Sequence, residues 1–389
     1  MVLVISSPHE NWYKICEKYS DVFNVEQACW EDVSLTSYPE TVVVNLSQAV
    51  HPISPQQKKR RTITPDIVLI RMLCRYVGIK LGANSDFRNV LYGFLHANIP
   101  MVNSFSAVLC ELERPIMMGR LKQIEKKLGK DVFTVIPQTY YSEASEMVVS
   151  PEVPFVIKYS YPHAGYGKIR IRDYHDFPDF RSIVALDNYY TQAEPLIDSE
   201  YEVRIVFIAP DYYRAHKRQS TNWKVNFGTS NIREDIEFTP KYKMWVDEIR
   251  KEFPDIDTFC IDTIIAKDGK EYILEMNGSA QGFAPEHCDE EHTKLCELVI
   301  SKLQNKELLH REAIIESDSS LEILNLKNKI SSLENDLEKA KLKNDNLQQQ
   351  PVNKVKPKSN HEKPLYFIIL TLLVLCIAQI GRASCRERV

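Results

Sequence analysis

Between His310 and Tyr366 the chain has no aromatic residue, and Lys, Glu, Asn and Leu dominate. That change of character separates a folded part, residues 1–305, from a tail of 84 residues in a chain of 389. A seven-residue repeat fits the first part of the tail. Ile323, Ile330, Leu337 and Asn344 occupy one row, and Leu326, Leu333, Ala340 and Leu347 the other. β-Branched Ile323 and Ile330 in one row with mainly Leu in the other predict a parallel two-stranded coiled coil over 318–350. A lone Asn344 in the seam costs stability but sets register. A charged single helix or an unstructured segment is the plainer alternative. Residues 351–363 read as a flexible linker, with two prolines and several lysines.

Leu365–Ile380 then carries no charge over sixteen residues, slightly short of the roughly 20 that span a bilayer. Lys356, Lys358 and Lys363 precede it, as on a cytosolic flank, so residues 364–380 are expected to anchor the protein in a membrane. The last nine residues, GRASCRERV, do not match what precedes them and resemble a translated sequencing adapter. On that reading residues 381–389 are foreign to the protein.

The folded part alternates short β-branched runs with helical stretches, the rhythm of an α/β fold. In residues 1–105 strands are expected at Met1–Ser6, Thr41–Asn45, Pro65–Arg71 and Ile99–Asn103, with a helix at Asp86–His96, giving a small domain with a parallel sheet. The polar insert Ser47–Thr64 contains Lys58-Lys59-Arg60-Arg61, either a solvated loop or a contact for phosphate or anionic lipid. In residues 106–305 a basic helix should end at Gly129. Strands are expected at Thr134–Gln138, Phe155–Tyr159, Ile169–Arg172, Glu202–Ile208, Tyr212–Lys217, Thr258–Ala266 and Glu271–Met276. Asp268-Gly269 should turn a hairpin between the last two.

Nine cysteines without a C-x-x-C pair argue against a zinc site and a secreted disulfide scaffold. The N-terminus lacks a basic region and a long apolar run, and reads as a buried strand rather than a signal peptide; the body is expected in a reducing cytosol. A net charge of −4 supplies no general field for nucleic acid.

Three clusters carry chemistry. In the first, a strand ends in Lys158 and a loop follows with His163, Gly165, Gly167 and Lys168. Such glycines let backbone N–H groups approach phosphate, although a plain hairpin turn explains them equally. In the second, Glu194-Pro195-Leu196-Ile197 is an extended stretch suited either to an adenine slot or to a connecting strand. In the third, Asp262 lies on one strand and Glu275-Met276-Asn277 ends the next. Glu275 and Asn277 share parity, so all three side chains can form an oxygen site for magnesium or calcium held with phosphates. Arg204, Arg218 and Lys224 lie on or between neighbouring strands and could clamp those phosphates. A set of surface ion pairs is the alternative.

The ordered blocks PDIVLIR, KKLG, HAGYGK, AEPLID, YEVR, NWKVNFGTS, YKMWVD and AKDGKEYILE resemble the central domain of the synapsins over Val2 to Leu303. The resemblance implies a Rossmann-like pre-ATP-grasp domain followed by an ATP-grasp domain that binds ATP with Mg or Ca. It implies that Lys158 contacts the phosphates, His163–Lys168 form a lid, and Glu194–Ile197 form the adenine hinge. Arg218 and Lys224 would be phosphate ligands, and Asp262 and Glu275 metal carboxylates. Arg114 stands where the family has a lysine. Asp262 stands where synapsins have Glu, and Asn277 where they have an apolar residue and ligases have Asn. The family's phosphorylation site and proline-rich tail have no counterpart in the quoted sequence.

The leading expectation is therefore a non-enzymatic, ATP-binding, synapsin-like protein that self-associates and clusters synaptic or secretory vesicles, regulating neurotransmitter release from the cytoplasmic face of their membrane. Vesicle membrane, cytoskeleton and a second copy of the chain are its implied partners. The alternative is a carboxylate–amine ligase working through an acyl-phosphate, and a third reading is a coiled-coil tether with an inert nucleotide domain. Deleting residues 364–380 should abolish co-flotation with liposomes, measured against the full chain. Equal flotation of both forms would refute the anchor.

Overall fold

The computed structural model describes residues 1–47, 59–75, 86–160, 165–186, 189–220, 222–224, 232–253 and 255–305. The expected coiled coil, linker, anchor and adapter segment lie outside these residues. Within them the chain runs β1 (Val2–Ile5), α1 (Trp12–Ile15), β2 (Val25–Ala28), β3 (Val33–Tyr38), β4 (Thr41–Leu46), β5 (Arg61–Ile63), β6 (Ile67–Ile70), α2 (Arg88–His96) and β7 (Met101–Val102). It continues with α3 (Phe105–Leu112), α4 (Arg114–Leu128), β8 (Thr139–Tyr141), β9 (Phe155–Tyr159), β10 (Lys168–Ile171), α5 (Asp176–Val184) and β11 (Thr191–Pro195). The last elements are β12 (Ser199–Ile208), β13 (Tyr212–Gln219), β14 (Ile232–Ile236), α6 (Pro240–Glu252), β15 (Thr258–Ala266) and β16 (Glu271–Asn277), with residues 288–305 helical. Met1–Leu303 form one compact unit.

The runs VLVI and IVLI are apolar at every position because their sheet is covered on both faces. That sheet has the order β2-β1-β6-β7, all parallel. Leu3, Ile5, Val68 and Ile70 pack toward β4 and α2, whereas Val2, Val4, Ile67 and Leu69 pack against Leu295, Leu298 and Val299 of residues 288–305. The end of the described chain thus closes the first sheet.

Thr41–Asn45 does not join that sheet. It belongs to β4 in a separate antiparallel sheet of order β3-β4-β5, where Val42, Val44 and Leu46 face the core. Their alternation with half-buried or exposed neighbours is the mark of a strand covered on one face only. Thr134–Gln138 is not a strand either. Only Val135 bridges, to Ile273, because Pro137 lacks the N–H a ladder needs. The strand begins two residues later, at Thr139. Phe155–Tyr159 and Thr258–Ala266 coincide with their expected bounds. Helix α4 ends at Gly129, whose φ of 90° suits a residue without Cβ. Gly269, at φ 79°, turns the β15–β16 hairpin.

Two antiparallel sheets make the second half. One has the order β10-β9-β11-β8 and the other β14-β13-β12-β15-β16. In both, the period of two sorts residues by parity. Phe155 and Ile157 face α5, where Phe177, Phe180 and Val184 bury them. Val203, Ile205, Phe207, Phe259 and Ile261 face α4 and α6 through Met117, Leu121, Trp245 and Ile249. The even positions, 156 and 158 on one sheet and 202, 204, 262 and 264 on the other, are left to the opposite faces. Ile261→Ala, at a fully buried position, should cost about 2–5 kcal/mol, read as a lower urea midpoint with unchanged m-value.

Candidate functional site

The polar rows meet across a cavity of about 310 Å³. Lys158, Gly165, Lys168, Glu194, Pro195, Leu196 and Ile197 line it from the smaller sheet and its turn. Arg218, Lys224, Asp262 and Glu275 line it from the larger sheet and the segment that follows β13. Arg204, Asn277 and Arg114 stand one layer behind, bonded to the lining carboxylates. Gly167 shapes the turn: its φ is 63°, that of Gly165 is 86°, and its carbonyl accepts from the Tyr159 N–H. His163 lies outside the described residues.

Register explains the acidic end. Arg204 on β12 pairs with Asp262 on β15, which pairs with Glu275 on β16. Arg204 donates to both Asp262 oxygens, Nε to Oδ1 at 2.8 Å and Nη2 to Oδ2 at 2.9 Å. Arg218 Nη2 is shared between Asp262 Oδ1 at 2.9 Å and Glu202 Oε2 at 2.8 Å. Asn277 Nδ2 donates to Asp262 Oδ2 at 3.0 Å. Burial pushes the Asp262 carboxyl up, but Arg204 and Arg218 outweigh it and hold the group below the usual range. Glu275 is paired with Arg114, with Lys168 3.8 Å away. Against the cost of its burial, Arg114, Lys168 and Lys158 hold it well below the ordinary carboxylate value. A bulge between Asp262 and Thr263 in the β15–β16 pairing breaks strict alternation, so Leu274 and Glu275 both reach the cavity.

Lys158 is buried and paired with Glu194, which also accepts from Gln138. Burial, with Arg114 and Lys168 nearby, lowers the Lys158 ammonium to about 8 despite Glu194. Lys224 Nζ donates to the Gly165 carbonyl at 3.1 Å and so ties the glycine turn to the larger sheet's side of the cavity. The Leu196 N–H donates to the Pro154 carbonyl, so it is not the donor for a base in the hinge segment.

Six cationic side chains, Arg114, Lys158, Lys168, Arg204, Arg218 and Lys224, thus converge with five carboxylates, Glu194, Glu200, Glu202, Asp262 and Glu275. The surplus is positive. Among the described residues buried Arg218 Nε has no hydrogen-bond partner, a donor left over by the acceptors around it. Among the described residues no three His, Cys, Asp or Glu side chains form a metal cage. Two carboxylates and an amide fit a hard cation that brings phosphate oxygens with it, not one held by protein alone.

The motif reading missed Glu202, Gln138 and Trp223. Glu202 shares parity with Arg204, so strand alternation could have found it. Trp223 lines the cavity beneath Arg170 and Lys224, whose cationic groups lie 5.3 and 5.2 Å from its ring. No local pattern marks Gln138. The apolar wall of Ile136, Val156, Ile264 and Leu274 also depends on pairing between distant strands.

Solved structures share this architecture. D-cycloserine synthetase DcsG superposes with a TM-score of 0.53 at 13% identity, covering 78% of this chain and 99% of that one. D-alanyl-alanine synthetase A from Vibrio cholerae gives 0.53 at 11%, covering 78% and 98%. The ATP-grasp ligase PsnB, complexed with a phosphomimetic precursor variant, Mg and ADP, gives 0.52 at 15%, also covering 78% and 98%. At these identities the likeness is one of fold alone, that of the ATP-grasp ligases. Residues 1–101 match the synapsin pre-ATP-grasp domain, and residues 103–305 match the synapsin ATP binding domain. The chain belongs to the synapsin family. Synapsin of Drosophila melanogaster is 28% identical over 313 residues, covering 78% of this chain. The chain spans 30% of that relative's length.

Because Lys158 loses its proton near pH 8, affinity for inorganic tripolyphosphate should fall as pH rises from 7 to 9, by at most about tenfold per unit for one proton. Lys158→Arg should flatten that fall in titration calorimetry.

Proposed function

We propose that the cavity binds ATP together with a divalent cation and that the protein acts as a nucleotide-responsive scaffold rather than as a ligase. The positive surplus around a cavity of about 310 Å³ carries this reading. Lys158, Lys168, Arg218 and Lys224 would meet the phosphates, with Arg204 behind them. Asp262, Glu275 and Asn277 would share the cation with phosphate oxygens. Pro195–Ile197, with Val156 and Leu274, would supply the flatter apolar end for a base. A bound cation would supply charge neutralisation at the phosphates. Magnesium is favoured over calcium by the magnesium and ADP found with a fold neighbour.

Two observations support binding over turnover. Asp262 accepts from three side chains, and Glu275 is already paired with Arg114, so the acidic end is neutralised without a ligand. Asn277 beside Asp262 favours the ligase as the second reading. Membership of the synapsin family supports a site of action on the cytoplasmic face of vesicles. The heptads of 318–350 and the apolar run of 364–380 would supply self-association and anchoring there.

Titration calorimetry of the full chain with ATP, with and without MgCl2 or CaCl2, tests the binding. Lys158→Ala should weaken ATP at least tenfold, as loss of one buried charge-assisted contact, with circular dichroism unchanged. Unaltered affinity would refute the assignment. Phosphate release should be negligible without an acceptor; fast, cation-dependent release abolished by Glu275→Gln would favour the ligase.

A further inference from the structure

The four residues after Asn277 are held from two sides by groups remote in sequence. On one side a single carboxylate collects three consecutive amides. Gly278 N donates to Glu111 Oε1 at 3.1 Å, Ser279 N to Oε2 at 2.9 Å, and Ala280 N to Oε1 at 3.3 Å. On the other side Arg71 donates to the Ser279 carbonyl at 2.8 Å and the Gln281 carbonyl at 2.9 Å. Gly278 is required by this approach: a Cβ there would stand 2.9 Å from Glu111 Oε2 and 3.2 Å from Asn103 Nδ2.

Glu111 is 5% exposed and lies on α3, which is shared between two cores. Val108 and Leu112 pack with the first sheet, and Ala107 and Cys110 with the core of the five-stranded sheet. A carboxylate buried there costs free energy unless its lone pairs are filled, and the three amides fill them. Strand β16 has reason to need such help. It is the edge strand of its sheet, bridged on its outer side at Ile273, and the bulge before Glu275 interrupts its pairing with β15. The ladder therefore holds Asn277 only through its partner Cys260.

We propose that Glu111 is a positioning residue for the cation end of the site: by gripping the amides of 278–280 it sets Asn277 beside Asp262, and it links α3 and the first sheet to nucleotide binding. This rests on the reading of the cavity as an ATP–cation site. Glu111 itself contacts neither ligand. Its action runs through the backbone that carries Asn277.

The test is ATP titration of the full chain over a series of MgCl2 concentrations. Glu111→Gln keeps size but turns an NH2 toward amides that need an acceptor. It should raise the Mg²⁺ concentration for half-maximal ATP binding about tenfold, as loss of a metal ligand's outer support does, while affinity at saturating Mg²⁺ stays within about twofold. Gly278→Ala, which displaces the carboxylate without removing charge, should shift the curve the same way and serves if Glu111→Gln fails to fold. Leu298→Ala, a buried truncation on residues 288–305, should lower thermal stability and leave the curve in place. In an Asn277→Ala background Glu111→Gln should add no further shift. An unmoved curve in both Glu111→Gln and Gly278→Ala overturns the proposal, as does an equal shift with and without Asn277, or an equal loss of affinity at every Mg²⁺ concentration. Failure of the wild-type chain to bind ATP at any Mg²⁺ concentration overturns the nucleotide reading itself, and this inference with it.

Discussion

Asp262 is the point on which the site turns. A carboxylate at 3% exposure is unfavourable unless its charge is matched in place, and here two guanidiniums and an amide match it. Those partners come from three strands other than its own, so the pairing also states how β12, β13, β15 and β16 lie side by side. Glu275 with Arg114 and Lys158 with Glu194 repeat the device on either side. Each of these charges thereby has a partner before a ligand arrives.

Such self-neutralisation has a chemical consequence. A polyphosphate entering the cavity would take over cations now shared with carboxylates, and a divalent cation would take over the carboxylates so released. The exchange swaps one set of short-range partners for another, so the protein's own charged groups, already buried, need not be stripped of water again. The cavity is bounded by two sheets whose opposite faces are packed by different helices, α5 for the smaller and α4 and α6 for the larger. Each sheet therefore has its own core, and the polar faces meet without either core being opened.

The strand patterns were legible where β-branched and aromatic residues cluster. Phe155–Tyr159 and Thr258–Ala266 are such runs, buried at most positions, and their expected bounds coincide with the strands. Thr134–Gln138 was misread because β-branched residues outweighed Pro137, and the ladder rules by N–H groups rather than by propensity. Thr41–Asn45 was correctly a strand but wrongly assigned to the parallel sheet, since strand partners are not written in a single strand. The site showed the same split. Lys158, Glu194, Asp262 and Glu275 were recognisable from their blocks, and parity with Arg204 could have marked Glu202, whereas Gln138, Trp223 and Glu111 carried no such signal, because each matters only through a residue at least 56 positions away or through the cavity itself.

What the sequence by itself determined is the parity within most of the strands it marks, the turns at Gly129 and Gly269, and the residue types available to an anionic ligand and a hard cation. Those follow from local sterics and from periods of two and 3.6 that any reader of the chain can count. The tertiary structure alone decided which carboxylate met which arginine, that a bulge would bring Leu274 and Glu275 to the same cavity, and that Glu111 would hold the amides of residues 278–280. These are matters of register and of contact between segments as much as 169 residues apart. They are set by the packing of one core against another, and no local pattern encodes them.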